Sequence, residues 1–197
     1  MGWQAQSRAV GRWCLCRIRG AHLRLTTAGL FIPFALVLLG VPQSVEAQRA
    51  VLIVRHAEQL DDSSDSPLSE AGHQRAKALV GLLKDAGITA IYTTETQRTI
   101  QTAAPLSTAL GLPAIAIPRK ETEDLIRRLR ERHSQDIVLV VAHSGSLRGT
   151  GAGMTVPALL KGLGYPEEVK IERSEHDTIF VVMPKSDGPP AVLRLRS

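Results

Sequence analysis

Residues 50–58, Ala50-Val51-Leu52-Ile53-Val54-Arg55-His56-Ala57-Glu58, set five apolar residues directly before an arginine and a histidine. A continuous run such as AVLIV reads as a strand buried on both faces, since a half-exposed strand would alternate apolar and polar positions. Ile137–Ala142 (IVLVVA) repeats the pattern and runs into His143-Ser144-Gly145. Helical patterns and short strands fill the chain between and after them. Ser69 to Ala86 reads as a helix with Ser69 as N-cap, a stripe of Ala76, Leu79, Val80 and Leu83, and Gly87 as its stop. Ala90–Thr93 is a short strand, and Gln97–Leu110 a helix closed by Gly111 and kinked or broken near Pro105. A strand around Ala114–Ile117, a charged helix around Thr122–His133 and a helix at Val156–Leu163 follow, with late strands at Thr178–Met183 and Ala191–Leu195. This alternation predicts an α/β fold with three α/β/α layers and a mainly parallel sheet covered on both faces.

Composition narrows the function classes. With 44% apolar and 22% charged residues, the 197-residue chain is neither a disordered tail nor a multi-span membrane protein. Aromatics at 4% argue against a surface that stacks single-stranded nucleic acid. The net charge of +5 belongs to the N-terminus, where Arg8, Arg12, Arg17, Arg19 and Arg24 meet no acid before Glu46. Residues 48–197 hold 19 basic against 18 acidic groups, so a nucleic-acid partner loses its main support.

That N-terminus has its own logic. An Arg-rich start, an apolar run from Ala28 to Val41 and small residues ending at Ala47 have the architecture of a secretory signal peptide. The 14-residue run, interrupted by Pro33, would span about 21 Å as a helix, short of the ~30 Å hydrocarbon core. Residues 1–47 are therefore expected to be cut after Ala47, leaving 48–197 as one domain, periplasmic or secreted, with no membrane attachment. Both cysteines, Cys14 and Cys16, leave with the leader, so residues 48–197 offer no thiol, disulfide or thiolate metal site.

In parallel sheets, active sites gather at the carboxyl ends of the strands. Arg55 and His56 follow the first strand, Arg98 follows the second within a few residues, and His143 follows IVLVVA. Two guanidinium groups near one point make a receptor for a phosphate dianion, since their planar forks match its oxygens. A neutral imidazole beside them can attack phosphorus, and the positive surroundings keep it neutral. A second histidine can donate to the charge that develops on the transferring group. Such a site needs no metal and no other cofactor. His73 lies at the edge of the first helix's apolar stripe and reads as structural, His133 and His176 have no ligand spacing to one another, and Asp61-Asp62-Ser63-Ser64-Asp65 lacks the pattern of a calcium loop and reads as a solvated loop.

The ordered set of motifs resembles the histidine phosphatase superfamily, the phosphoglycerate-mutase-like fold. Val54-Arg55-His56-Ala57-Glu58 is similar to its R-H-[GA] signature. Leu68-Ser69-Glu70-Ala71-Gly72, Ile91-Tyr92-Thr93 through Arg98-Thr99-Ile100-Gln101-Thr102-Ala103, and Ala142-His143-Ser144 follow in the family's order and spacing. The resemblance implies that His56 becomes a phosphohistidine, that Arg55 and Arg98 clamp the phosphoryl group, and that His143 completes the pocket. It also implies a small single-domain phosphatase acting on a phosphorylated small molecule or a phosphoprotein. Two alternatives stay open: a phosphate-binding module of the same fold with little or no turnover, and a phosphohistidine-protein phosphatase.

Two departures from the family pattern bear on mechanism. Many relatives carry a glutamate general acid some two dozen residues after the second arginine. Glu121 and Glu123 fall in that window but read as a solvated helix face, and Glu58 is an alternative donor. Exported members often read H-S-x-T-V-P-A-L-L without a break. Here Gly145–Met154 (GSLRGTGAGM) intervenes, as a substrate lid, as a spacer that displaces the next helix, or as an error in the gene model. Arg148 within it reads as a solvated loop arginine before it reads as a phosphate ligand.

Overall fold

The apolar runs become strands and the amphipathic stretches cover them. In the computed structural model residues 50–145, 153–185 and 187–196 are described. The elements are β1 (Ala50–Arg55), α1 (Glu70–Leu83), β2 (Ala90–Thr94), α2 (Gln97–Leu110), β3 (Ala114–Ile117), α3 (Thr122–Arg132), β4 (Ile137–Ala142), α4 (Val156–Gly162), β5 (Thr178–Met183) and β6 (Ala191–Arg196). A short 3-10 turn at Arg119–Glu121 precedes α3. Residues 1–49, with the expected leader and its cut after Ala47, and Arg148 lie outside the described residues; among the described residues no helix is long and apolar enough to cross a membrane.

One sheet forms in the order β3-β2-β4-β1-β5-β6. β1 with β4, β4 with β2 and β2 with β3 pair in parallel, while β5 runs antiparallel to β1 and β6 antiparallel to β5. The sheet is thus parallel through its centre, as expected, and reversed at one edge. A direct β5–β6 connection permits only an antiparallel neighbour, because a parallel one needs a long crossover.

Side chains leave each strand alternately, so each central strand feeds two cores. Val51, Ile53, Val138, Val140, Phe180 and Val182 pack with Leu125 and Leu129 of α3 and Leu159 and Leu160 of α4. Leu52, Val54, Leu139, Val141 and Ile179 pack on the other face with Leu79 and Leu83 of α1 and Ala103 and Leu106 of α2. Each fully buried aliphatic side chain contributes about 1.5–3 kcal/mol. These two cores explain why the central strands carry no polar residue before Arg55 and His143.

Local differences from the sequence reading have simple causes. α1 ends at Leu83 rather than Ala86; Ala86 N donates to Leu83 O, and Gly87 at φ 73° turns the chain toward β2. α2 runs unbroken through Pro105, which forgoes one intrahelical hydrogen bond, and closes at Gly111 with φ 65°. Ser69 caps α1 as expected, its Oγ accepting from Gly72 N at 3.1 Å.

That cap also anchors the segment after β1. Ser69 donates to Glu58 O from its backbone N at 2.9 Å and from Oγ at 3.2 Å. Glu58 lies so close to the first turn of α1 that a Cβ at Gly72 would sit 2.2 Å from its carbonyl oxygen. Glycine is required there by contact, not by backbone angle.

The Gly145–Met154 insertion is closed at its base. His143 N donates to Met154 O at 3.0 Å, and Val156 N donates to His143 O at 2.8 Å. Met154 is fully buried, and Thr155 caps α4 by accepting from Ala158 N at 3.2 Å. The chain that leaves at Gly145 is therefore back beside His143 before α4 begins, and α4 is not displaced from that strand end.

Candidate active site

Register brings the two histidines together. β1 and β4 pair with Arg55 opposite Ala142, so His56 and His143 each stand one residue past a matched strand end. His56 N extends the ladder by donating to Ala142 O at 2.9 Å. The two rings meet edge to face with centroids 5.3 Å apart.

His56 is held in a defined tautomer. Its Nδ1 lies 2.8 Å from Ala57 O, and because a carbonyl can only accept, Nδ1 carries the proton. In the neutral ring, Nε2 is then left with its lone pair. Burial, with Arg55 and Arg98 adding to it against the Ala57 carbonyl, lowers the His56 pKa to about 4, so the ring is neutral at pH 7. α2 supports this geometry from behind: Thr102 Oγ1 accepts from Ala57 N at 3.0 Å and donates to Arg98 O at 2.7 Å.

The two arginines share one mode of attachment. Arg55 NH1 faces the carbonyls of Glu172, Arg173 and Glu175 at 3.0, 2.8 and 3.1 Å. Arg98 NH1 donates to Ser64 O at 3.0 Å. The Nε of each is buried without a hydrogen-bond partner among the described residues. A buried guanidinium donor left unpaired costs about 1–3 kcal/mol or more, which an anion at the Nε edge would recover. The Asp61–Ser66 loop, expected as a solvated acidic stretch, has a structural task. Besides Ser64 it supplies Asp65, whose Oδ1 accepts from Gln97 N at 2.8 Å and so caps the helix that carries Arg98.

His143 is turned toward a threonine cluster. Its Nε2 lies 3.0 Å from Thr94 Oγ1, which also contacts Thr96 Oγ1 at 3.0 Å and Thr99 Oγ1 at 2.8 Å. Burial first, then the neighbouring His56 and Arg98, lowers the His143 pKa to about 3.

Arg55, His56, Arg98 and His143 line one cavity of about 980 Å³, together with Arg119, Thr155, Pro157 and His176. All four residues expected from the sequence are thus brought together. Of the three candidate proton donors, only Glu58 reaches the lining. Glu121 and Glu123 are exposed and absent from the lining. Glu58 reaches the lining, but Arg75 grips its carboxylate from Nε at 3.0 Å and NH2 at 2.6 Å and holds it below the usual carboxylate range. A carboxylate so held is a poor proton donor.

His176 is the main residue the sequence reading passed over. Its Nδ1 donates to the His56 carbonyl at 2.8 Å, and its ring lies 5.8 Å from the His56 ring. The only advance signal was its position just before β5, the strand beside β1. Arg119 was likewise missed, because the 3-10 turn that carries it to the cavity has no sequence period. The turn is fixed by Glu95, whose Oε2 accepts from Arg119 N at 2.8 Å. His73, expected at the edge of the α1 stripe, is exposed.

Chemically, the arrangement offers two guanidinium edges, a neutral imidazole with a free lone pair and a second imidazole beside it. That set can hold a tetrahedral dianion and attack its central atom.

Residues 51–123 match the family model described as histidine phosphatase superfamily (branch 1). A probable phosphoglycerate mutase, GpmB, of Yersinia enterocolitica is 37% identical over 76 residues, covering 35% of this chain and 35% of the relative. The match therefore spans about a third of that relative's length. The protein histidine phosphatase SixA, solved with tungstate, superposes with TM-score 0.55 at 20% identity, over 75% of this chain and 96% of that one. A putative alpha-ribazole-5'-P phosphatase from Escherichia coli gives TM-score 0.59 at 16% identity, over 76% and 97%. At these identities the structural likeness is one of fold.

Proposed function

The chain carries a sequence match to the histidine phosphatase superfamily and has that superfamily's fold, and from this premise we propose that it hydrolyses phosphomonoesters through a phosphohistidine at His56. The observation that carries the reading is the neutral, oriented His56 ring, its Nδ1 proton tied to Ala57 O, in the cavity lined by Arg55 and Arg98. Nε2 attacks phosphorus, a P–N bond forms, and the ester P–O bond breaks with its electron pair leaving on oxygen. Water then attacks phosphorus, the P–N bond breaks, and Nε2 regains its lone pair as inorganic phosphate departs. Arg55 and Arg98 hold the non-bridging oxygens through both steps by their Nε edges. For a neutral His143 to donate to those oxygens its proton must sit on Nδ1, so Thr94 donates its hydroxyl hydrogen to Nε2.

The same geometry bears on the substrate. With Glu58 held ionised and Glu121 and Glu123 off the cavity, leaving groups that need no proton are favoured. That observation also supports a second reading, an anion-binding module with slow turnover. Export is part of the proposal on the strength of the Arg-rich start, the Ala28–Val41 run and Ala47. The N-terminus of protein recovered from a secreting host should be Gln48.

The decisive test is hydrolysis of p-nitrophenyl phosphate in EDTA by the protein and by His56→Ala. Turnover that survives EDTA and vanishes in the variant is the expected result. Equal inactivity of two folded proteins would leave the binding module as the better reading.

A further inference from the structure

Arg55 owes its position to a tight turn before β5, and that turn is anchored from the sheet edge. Glu175 N donates to Glu172 O at 3.0 Å, and the turn so formed aims the carbonyls of Glu172, Arg173 and Glu175 at Arg55 NH1. NH1 has two hydrogens for three acceptors, so the turn holds the guanidinium from one side only. The next residue, His176, donates to the His56 carbonyl. One short segment is thereby fastened both to the arginine that faces the anion and to the backbone of the nucleophile.

Besides those backbone bonds and Ile171, which packs against the core just before it, the turn is tied to the sheet edge by the Glu175 side chain. That carboxylate is buried, accepts from Thr178 Oγ1 at 2.5 Å on β5 and pairs with Arg194 NH2 on β6. Arg194 in turn lies over the Phe180 ring, 5.5 Å from its centroid. A buried carboxylate that reaches no reacting atom, in a small domain, calls for a reason.

We propose that Glu175 and Arg194 are positioning residues for the phosphoryl clamp, fixing the turn that aims Arg55 and steadies His56. The edge strand β6 thereby takes part in anion binding without touching the cavity. The inference rests on the phosphatase reading for its meaning, but only on anion binding for its test.

The test compares the full-length protein with Glu175→Gln, Arg194→Met and Arg194→Lys. Affinity for inorganic phosphate is measured by titration calorimetry, and kcat and KM with p-nitrophenyl phosphate. Charge and position predict opposite signs. If Glu175 acted only through its negative charge, removing it would make the cavity more positive and phosphate would bind more tightly. If it positions the turn, phosphate binding weakens by about tenfold, with kcat/KM falling at least as far. Arg194→Met should weaken binding several-fold, and Arg194→Lys should stay within about twofold of the parent protein, because an ammonium still reaches the carboxylate. Unchanged or tighter phosphate binding in folded Glu175→Gln overturns the proposal, as does failure of Arg194→Lys to differ from Arg194→Met. If Glu175→Gln does not fold, the half-exposed Arg194 pair decides alone. A parent protein that binds phosphate without turnover would sink the phosphatase reading and leave this one open to the same measurement; one that binds no phosphate would sink both.

Discussion

Acidification from pH 7 to about pH 4.5 is expected to remove about 5 kcal/mol of folding stability, and the paired histidines set that figure. Burial, the largest cause for each, lowers His56 to about 4 and His143 to about 3 from the ordinary 6.5. Between those values and 6.5 the unfolded chain binds protons that the folded chain does not. The stabilising effect is therefore fully present above pH ~6.5 and is lost as the pH falls toward the folded values. At about pH 4.5 an unfolded ring is almost wholly protonated and a folded one mostly is not, which amounts to about 2.5 kcal/mol per histidine. His176, also lowered mainly by burial, acts in the same direction. Domains of this kind are stable by only about 5–15 kcal/mol, so the loss brings the fold close to its limit. Guanidinium unfolding followed by far-UV circular dichroism is the assay, because both tryptophans, Trp3 and Trp13, lie outside residues 48–197. His56→Gln and His143→Gln each remove one titrating ring and should each lose about half as much between the two pH values. A parent protein that loses less than about 1 kcal/mol, or variants that keep the full pH dependence, would refute the placement of two neutral rings at one strand end.

Arg98→Ala should lower kcat/KM by about 10²–10³, and Arg98→Lys should recover little, because one ammonium cannot hold Ser64 O and a pair of phosphate oxygens together; steady-state kinetics would reveal an unexpectedly tolerant site. Gly72→Ala should lower stability by about 1–3 kcal/mol despite the better helix propensity of alanine, since its Cβ meets Glu58 O; an unchanged thermal midpoint would contradict that contact. Aryl phosphates should exceed alkyl phosphates in kcat/KM by at least about 10², the contribution a positioned acid would otherwise make. Similar rates for both classes would mean that a proton donor does act in the cavity.

Much of this architecture was legible because it is written in local periods. The AVLIV and IVLVVA runs announce strands buried on two faces, and both faces are in fact covered. His56 and His143 were readable as partners because parallel strands in register place the residues after them side by side. What was not legible arises where the backbone, not the side-chain pattern, does the positioning. The carbonyls of Glu172, Arg173 and Glu175 converge on Arg55 from a turn whose sequence, Glu172-Arg173-Ser174-Glu175-His176, has no period and announces nothing. His176 and Arg119 arrive at the cavity through such segments, so no spacing rule could pair them with His56 or Arg98. The candidate acids divide: Glu121 and Glu123 are exposed, as their reading as a solvated helix face expects, while Glu58 shows the limit of sequence proximity. Proximity in sequence put Glu58 next to the nucleophile, yet Arg75, one turn into a helix that the sequence had fully disclosed, takes its charge.

The insertion after His143 is a conspicuous departure in sequence, yet the residues at its base are bonded to one another. Its two ends are joined by the hydrogen bonds of His143 with Met154 and Val156, and Gly145, at φ 81°, leaves the strand under Thr155, whose Cβ is 3.3 Å from where a side chain would begin. A glycine there satisfies both the left-handed backbone and the close approach. Closing a loop costs entropy that grows only slowly with length, so extra residues beyond such a base add little to the cost of forming it. The histidine, the threonine cap and the start of α4 keep their mutual bonds whatever the excursion does.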